Sequence, residues 1–113
     1  MRNKKTASNP KHDEIVKSLE KRLQSDNRIV LTEHEYKNNG DHEADIITLN
    51  PKQNYAYVIE VKTTNSHKAR KKARKQLEAD EQYINKRFNI DRVFKFYAYG
   101  NKKKDKLYEI KRW

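Results

Sequence analysis

One run of residues, Asn54-Tyr55-Ala56-Tyr57-Val58-Ile59-Glu60-Val61-Lys62-Thr63-Thr64, limits what the chain can fold into more than any other. β-Branched and aromatic residues dominate it, and Asn50, Pro51 and Asn54 punctuate its start, so it predicts a strand. Side chains alternate across a strand: Tyr55, Tyr57, Ile59 and Val61 share one face, and Ala56, Val58, Glu60 and Lys62 the other. Both faces are apolar until the last few residues, the pattern of a strand in the middle of a sheet. Glu60 and Lys62 then stand two apart on one face. Burying those charges costs free energy unless something pairs or coordinates them. The end of this strand is therefore the first place to look for chemistry.

The remaining elements follow from periodicity and punctuation. Residues 1–9 are polar and basic and are expected as a flexible tail, with residues 10–113 forming one domain; the length allows one core and not two. Asn9-Pro10 predicts a helix start, with Asn as cap and Pro at the first helical position. The helix should run to about Gln24 on an apolar stripe of Ile15, Val16, Leu19 and Leu23, with His12 turned into the stripe and Glu14 away from it. Arg28 to Tyr36 reads as a strand, Lys37 to Glu43 as a loop, and Ala44 to Leu49 as a short strand opening close to Asp45. The turn Asn50–Asn54 then makes a hairpin-like pair with the central strand. Ser66 can cap a helix from about Lys68 to Phe88, with Ala69, Ala73, Leu77, Ile84 and Phe88 at apolar spacings of four, four, seven and four. Arg92–Tyr99 and Leu107–Trp113 read as two further strands around a basic loop. The predicted order is α-β-β-β-α-β-β, an α/β domain with a mixed central sheet flanked by helices.

Charge narrows the partners. Lys and Arg number 27 against 16 acids, a net charge of +11, which points to a polyanion. Lys68, Arg70, Lys71, Lys72, Arg74 and Lys75 place six of those charges in eight residues at the start of the second helix, where the macrodipole is already positive. Phosphate contact explains why a sequence accepts that repulsion; a solvated face is the plainer reading. With no cysteine there are no disulfides and no cysteine-zinc site, which fits a reducing cytoplasm. No apolar run reaches membrane-spanning length and the start of the chain lacks a signal-peptide core, so an intracellular, cytoplasmic protein with no membrane partner is expected.

In the antiparallel hairpin, Asp45 at the start of one strand and Glu60 and Lys62 at the end of the next lie at the same end of the sheet. Two converging carboxylates, with the backbone carbonyl of Val61 as a further oxygen, suit a hard divalent cation, Mg²⁺ or Mn²⁺. Such an ion activates water and neutralises charge on a phosphate, and Lys62 is a point-charge donor for the attacking water or the scissile group. The plainer reading of an isolated Glu-x-Lys is an exposed strand pair. Asp45, the fourteen residues that follow it, and Glu60-Val61-Lys62 resemble the PD-(D/E)xK nuclease superfamily, and the resemblance extends from the first helix through the strand Arg92–Tyr99. Ala44 replaces the proline that often precedes the first acid.

The resemblance implies a restriction-endonuclease-like fold, metal binding by Asp45 and Glu60, a catalytic Lys62, and a functional glutamine on the following helix, which Gln76 matches. It is nearest to small archaeal and viral Holliday-junction resolvases, with small phage-type replication and repair nucleases almost as close, and implies a DNA endonuclease acting as a homodimer, with RNA in place of DNA as the open alternative. Resolvases generally place a glutamate three residues before the first apolar pair of the first helix; here that residue is His12, and some viral members use histidine, so His12 is expected to complete the metal site, with Glu14 as the alternative. A non-catalytic nucleic-acid-binding protein on a degenerate nuclease fold is the competing reading. A third is an RNA-binding α/β module using Tyr55, Tyr57, Phe94, Phe96 and Tyr99 as a stacking platform, although these residues read more simply as core. Tyr83 also reads as core, and His34 and His42 as surface residues.

Overall fold

A computed structural model describes residues 10–25, 27–100 and 107–113. Its elements are α1 (Pro10–Leu23), β1 (Ile29–Lys37), β2 (Asp41–Asn50), β3 (Tyr55–Lys62), α2 (His67–Phe88), β4 (Arg92–Gly100) and β5 (Tyr108–Arg112). The strands form one sheet in the order β1-β2-β3-β4-β5. Neighbours are antiparallel except β3 and β4, which run parallel. Chain connectivity explains that exception: α2 carries the chain back along β3, so β4 starts level with Tyr55, where β3 starts. The expected N-terminal tail, the Asn9 cap and most of the basic loop before β5 lie outside the described residues.

β3 is the central strand, and its two faces are covered by different helices. On one face Ala56 and Val58 join Ile47, Leu49, Leu77 and Ile84 under α2. On the other Ile59 and Val61 join Ile15, Val16, Leu19, Ile46 and Ala98 under α1. Full burial of each such aliphatic side chain contributes roughly 1.5–3 kcal/mol. α2 begins at Ser66, whose Oγ accepts from the Ala69 amide at 3.1 Å, and ends at Asn89, which takes the left-handed conformation (φ 56°) that terminates helices. No helix among the described residues is long and apolar enough to cross a membrane.

Two expectations are corrected. β2 begins at Asp41 and not at Ala44, so Asp45 sits mid-strand, and the β1–β2 loop shrinks to a tight turn through Asn39 (φ 59°) and Gly40 (φ 130°). Cross-strand partners zip the hairpin further than turn propensity suggests: Tyr36 stacks on His42 at 5.3 Å and Lys37 pairs with Asp41 at 3.0 Å. The aromatic residues Tyr55, Tyr57, Phe94, Phe96 and Tyr99 are only partly buried: α1 covers the half of its sheet face that holds Ile59, Val61 and Ala98, so that Phe96 packs at the edge of this cluster and Tyr55, Tyr57 and Phe94 lie beyond it, while Tyr99 pairs with Lys62 on the other face.

Candidate active site

The site begins where the sheet splits. The β2–β3 ladder runs from Asn50↔Tyr55 to Ile46↔Ile59 and stops one step before Asp45 and Glu60 would face each other. Asp45 bridges the gap with its side chain, Oδ2 accepting from the Val61 amide at 2.7 Å. On the opposite side, Glu33, the residue across from Asp45, drops out of the β1–β2 ladder with φ +49°. A non-glycine residue held there costs roughly 1–2 kcal/mol. That kink turns the pleat over: Leu31 and Ile47 pack on the α2 side as alternation requires, yet so do Tyr36, five residues on from Leu31, and Ala44, three back from Ile47. The break and the side-chain bridge together set Asp45, midway along β2, beside the end of β3.

α2 descends along β3 with a matching step. One helical turn advances about 5.4 Å and two strand residues about 6.6 Å, so positions four apart on α2 meet positions two apart on β3. Gln76 stands over Lys62, whose Nζ donates to Gln76 Oε1 at 2.8 Å. One turn on, Asp80 stands over Glu60. Both acids are buried, and neither oxygen of Glu60 nor Oδ2 of Asp80 has a hydrogen-bond partner. The other oxygen of Asp80 accepts from the Tyr36 hydroxyl at 2.5 Å. Burial first, then the nearby charges of Asp45 and Asp80, push the Glu60 carboxyl well above the usual carboxylate range. Burial also raises Asp80, against the pull of Glu60 and Tyr36. For Asp45 burial pushes upward too, but His12, Glu60 and the Val61 amide outweigh it and hold the group below its ordinary value.

From α1, His12 reaches this corner: Nε2 lies 3.5 Å from Asp45 Oδ1 and the side chain is half-buried, whereas Glu14 is exposed. The interaction with Asp45 raises the His12 pKa above 6.5 although burial opposes it. The structure thus brings Asp45, Glu60, Lys62, Gln76 and His12 to one end of the sheet. Val61 takes part through its amide. Lys68, Arg70, Lys71, Lys72, Arg74 and Lys75 are all exposed on the two turns of α2 that precede Gln76. Among the described residues no three His, Asp or Glu side chains already converge as a complete ligand set. The donors nevertheless fit a hard cation in kind: two carboxylates beside the end of β3, with both Glu60 oxygens unmatched in a buried setting where that is costly.

Sequence reasoning missed Asp80 and Tyr36. The signal for Asp80 was present as the seven-residue gap between Leu77 and Ile84 in the apolar stripe of α2; a helix face needs an inward residue at the third or fourth position, and Asp80 fills it. Tyr36 carried no such signal, because the pleat reversal at Glu33 decides which way it faces. His34 and His42 are also more integrated than surface residues: His34 Nε2 lies 2.8 Å from the Tyr83 hydroxyl and His42 Nε2 lies 3.0 Å from the Asn38 carbonyl oxygen. Tyr83 is partly buried and stacks on Tyr36 at 4.1 Å between ring centroids. A broad concavity beside Tyr36 and His42 is lined by the β1–β2 hairpin and does not reach Glu60 or Lys62. No protein-family model, curated protein or solved structure matches the chain significantly.

Proposed function

We propose that the chain is a metal-dependent endonuclease that hydrolyses DNA phosphodiester bonds, a member of the PD-(D/E)xK superfamily acting on branched DNA in the manner of Holliday-junction resolvases. The observation that carries this reading is the fully buried Glu60, unpartnered at both oxygens, beside Asp45 and two residues before a lysine held by Gln76. A chain built only to bind nucleic acid gains nothing from carboxylates placed near phosphate, and it bears their desolvation cost without return. Asp45 and Glu60 would hold Mg²⁺ or Mn²⁺, with His12 as the neighbour from α1; when bound, the ion supplies Lewis-acid stabilisation of the phosphate and a more acidic water.

The chain's own groups account for the rest. Val61 fixes the orientation of Asp45 through its amide. Gln76 leaves Lys62 two further N–H donors and steers them to the strand end, where they can hold the attacking water or the scissile phosphate oxygen. The water oxygen bonds to phosphorus as one P–O ester bond breaks; a water proton passes to solvent, and the leaving sugar oxygen takes up a proton from solvent to become a hydroxyl. The basic turns of α2 position the sugar–phosphate backbone, and cutting both strands of a duplex or junction takes two such sites related by a two-fold axis, hence a homodimer.

Cleavage of end-labelled four-way junction, linear duplex and single strand, with Mn²⁺ or chelator, tests the reading. The wild type should cut with the ion, and Lys62→Ala should lose at least about a hundredfold in rate while binding the junction nearly as well. Tight binding with no cleavage of any substrate would identify a non-catalytic binding protein.

A further inference from the structure

The sheet face that α1 leaves open carries four aromatic side chains in contact. Tyr57 lies 5.4 Å from Tyr55, 5.8 Å from Phe94 and 5.3 Å from Phe96, and Tyr55 lies 6.3 Å from Phe94. Register produces the cluster: Tyr55↔Arg92, Tyr57↔Phe94 and Ile59↔Phe96 are adjacent in the parallel β3–β4 pair, so alternate residues of both strands meet on one face. Three guanidinium groups border the rings: Arg28 at 5.7 Å from the Tyr57 centroid, Arg92 at 5.9 Å from Tyr55, and Arg112 at 4.9 Å from Phe94. They come from three separate places: the residue before β1, the start of β4, and the end of β5. The aromatic cluster leads into a mainly apolar groove beside α1, lined by Leu19, Arg22, Leu23, Ile59, Phe96 and Ile110.

We infer that this face is a stacking platform for unpaired bases of a single-stranded nucleic acid. Unpaired bases bind by stacking on aromatic faces and on guanidinium planes, while adjacent positive charge follows the phosphates. A base arriving here takes a ring face from a guanidinium or stacks on the guanidinium itself, and in either case the cation stays beside the backbone. Charge disfavours a second copy of this chain as the occupant: a two-fold contact through the patch would bring three arginines of one copy together with the same three of the other, in a chain already at +11. The platform lies on the α1 face, toward the start of β3; Glu60, Lys62 and the basic turns belong to the α2 face and the strand's end. It is thus a second surface, independent of the proposed hydrolysis.

Fluorescence anisotropy with labelled fifteen-nucleotide oligothymidylate and a fifteen-base-pair duplex, in chelator so that nothing is cut, tests this. Tyr57→Leu and Phe94→Leu keep apolar volume and remove the stacking face, and Arg112→Gln removes one bordering charge at an exposed site. Each aromatic variant should lose about five- to a hundredfold in affinity for the single strand, and Arg112→Gln should weaken it too, with duplex affinity within about twofold of wild type. Circular dichroism melting identifies any unfolded variant, in which case Arg112→Gln alone decides. Unchanged single-strand affinity overturns the proposal. So does equal loss for both probes in a folded variant, or a wild-type dimer in sedimentation that Phe94→Leu dissociates, which would assign the face to a second copy.

Discussion

Glu60 is the residue on which the account turns, because its burial is unfavourable to the folded state in the absence of a cation. A carboxyl whose folded pKa lies above its unfolded value of about 4.5 binds more protons when folded, so its contribution to stability falls as pH rises from the unfolded value through the raised one. Asp80 and His12, both raised, act in the same direction, His12 from about 6.5 upward. Asp45, held low, loses its contribution only as pH falls below its ordinary value of 3.8. The metal-free protein should therefore melt at its highest temperature near about pH 5 and decline toward pH 8. Glu60→Gln keeps the shape without the charge; it should flatten that decline and raise the melting temperature at pH 8 by a few degrees. A wild-type melting temperature that rises from pH 5 to pH 8 would contradict this.

At His12 the sign is opposite for the ion. An imidazole must be neutral to bind a cation, so affinity should drop as pH falls through the raised His12 value, and His12→Ala should weaken Mn²⁺ binding about ten- to a hundredfold while the exposed Glu14→Ala changes little. The reverse pattern in a metal titration of the two variants would place Glu14 at the site.

At the level of elements, α2 joins the basic cluster to the strand end, since its first two turns carry the cluster and its next two carry Gln76 and Asp80. Replacing Lys71 and Lys72 by glutamine should weaken duplex binding regardless of base sequence and lower the slope of log affinity against log salt by about one to two units. An unchanged slope would leave these residues as a solvated face. How legible each element was in the sequence depended on whether local rules fixed it. Ser66 and the apolar stripe define α2 almost to the residue, and the doubly apolar run Tyr55–Val61 identifies the central strand, because capping and periodicity are properties of neighbouring residues. Gln76 was marked only through the resemblance, and its contact with Lys62 emerges once α2 is laid back along β3. The start of β2 could not be read, since cross-strand pairing to Tyr36 and Lys37 overrides the turn chemistry of Asn38–Gly40. Nor could the open face of β4, because alternation shows which residues share a face and not how far a fourteen-residue helix will cover it.

At the scale of the molecule, a five-stranded sheet with one helix on each face has two unequal surfaces. The α2 side presents carboxylates, a lysine and a row of cations; the uncovered part of the α1 side presents rings edged by arginines. The two proposals assign both to nucleic acid, in one case the backbone and in the other the bases, in keeping with a net charge of +11. What joins the parts is the claim that Asp45 and Glu60 are arranged for a divalent cation. Isothermal titration of Mn²⁺ into the wild type and into Glu60→Gln at pH 7.5, paired with melting curves of the same samples, tests it without relying on catalysis. The wild type should bind the ion and gain on the order of 10 °C at a hundredfold excess over its dissociation constant, while Glu60→Gln should bind at least about tenfold more weakly and gain little. Equal binding and equal stabilisation of the two proteins, or none in the wild type, would contradict the account.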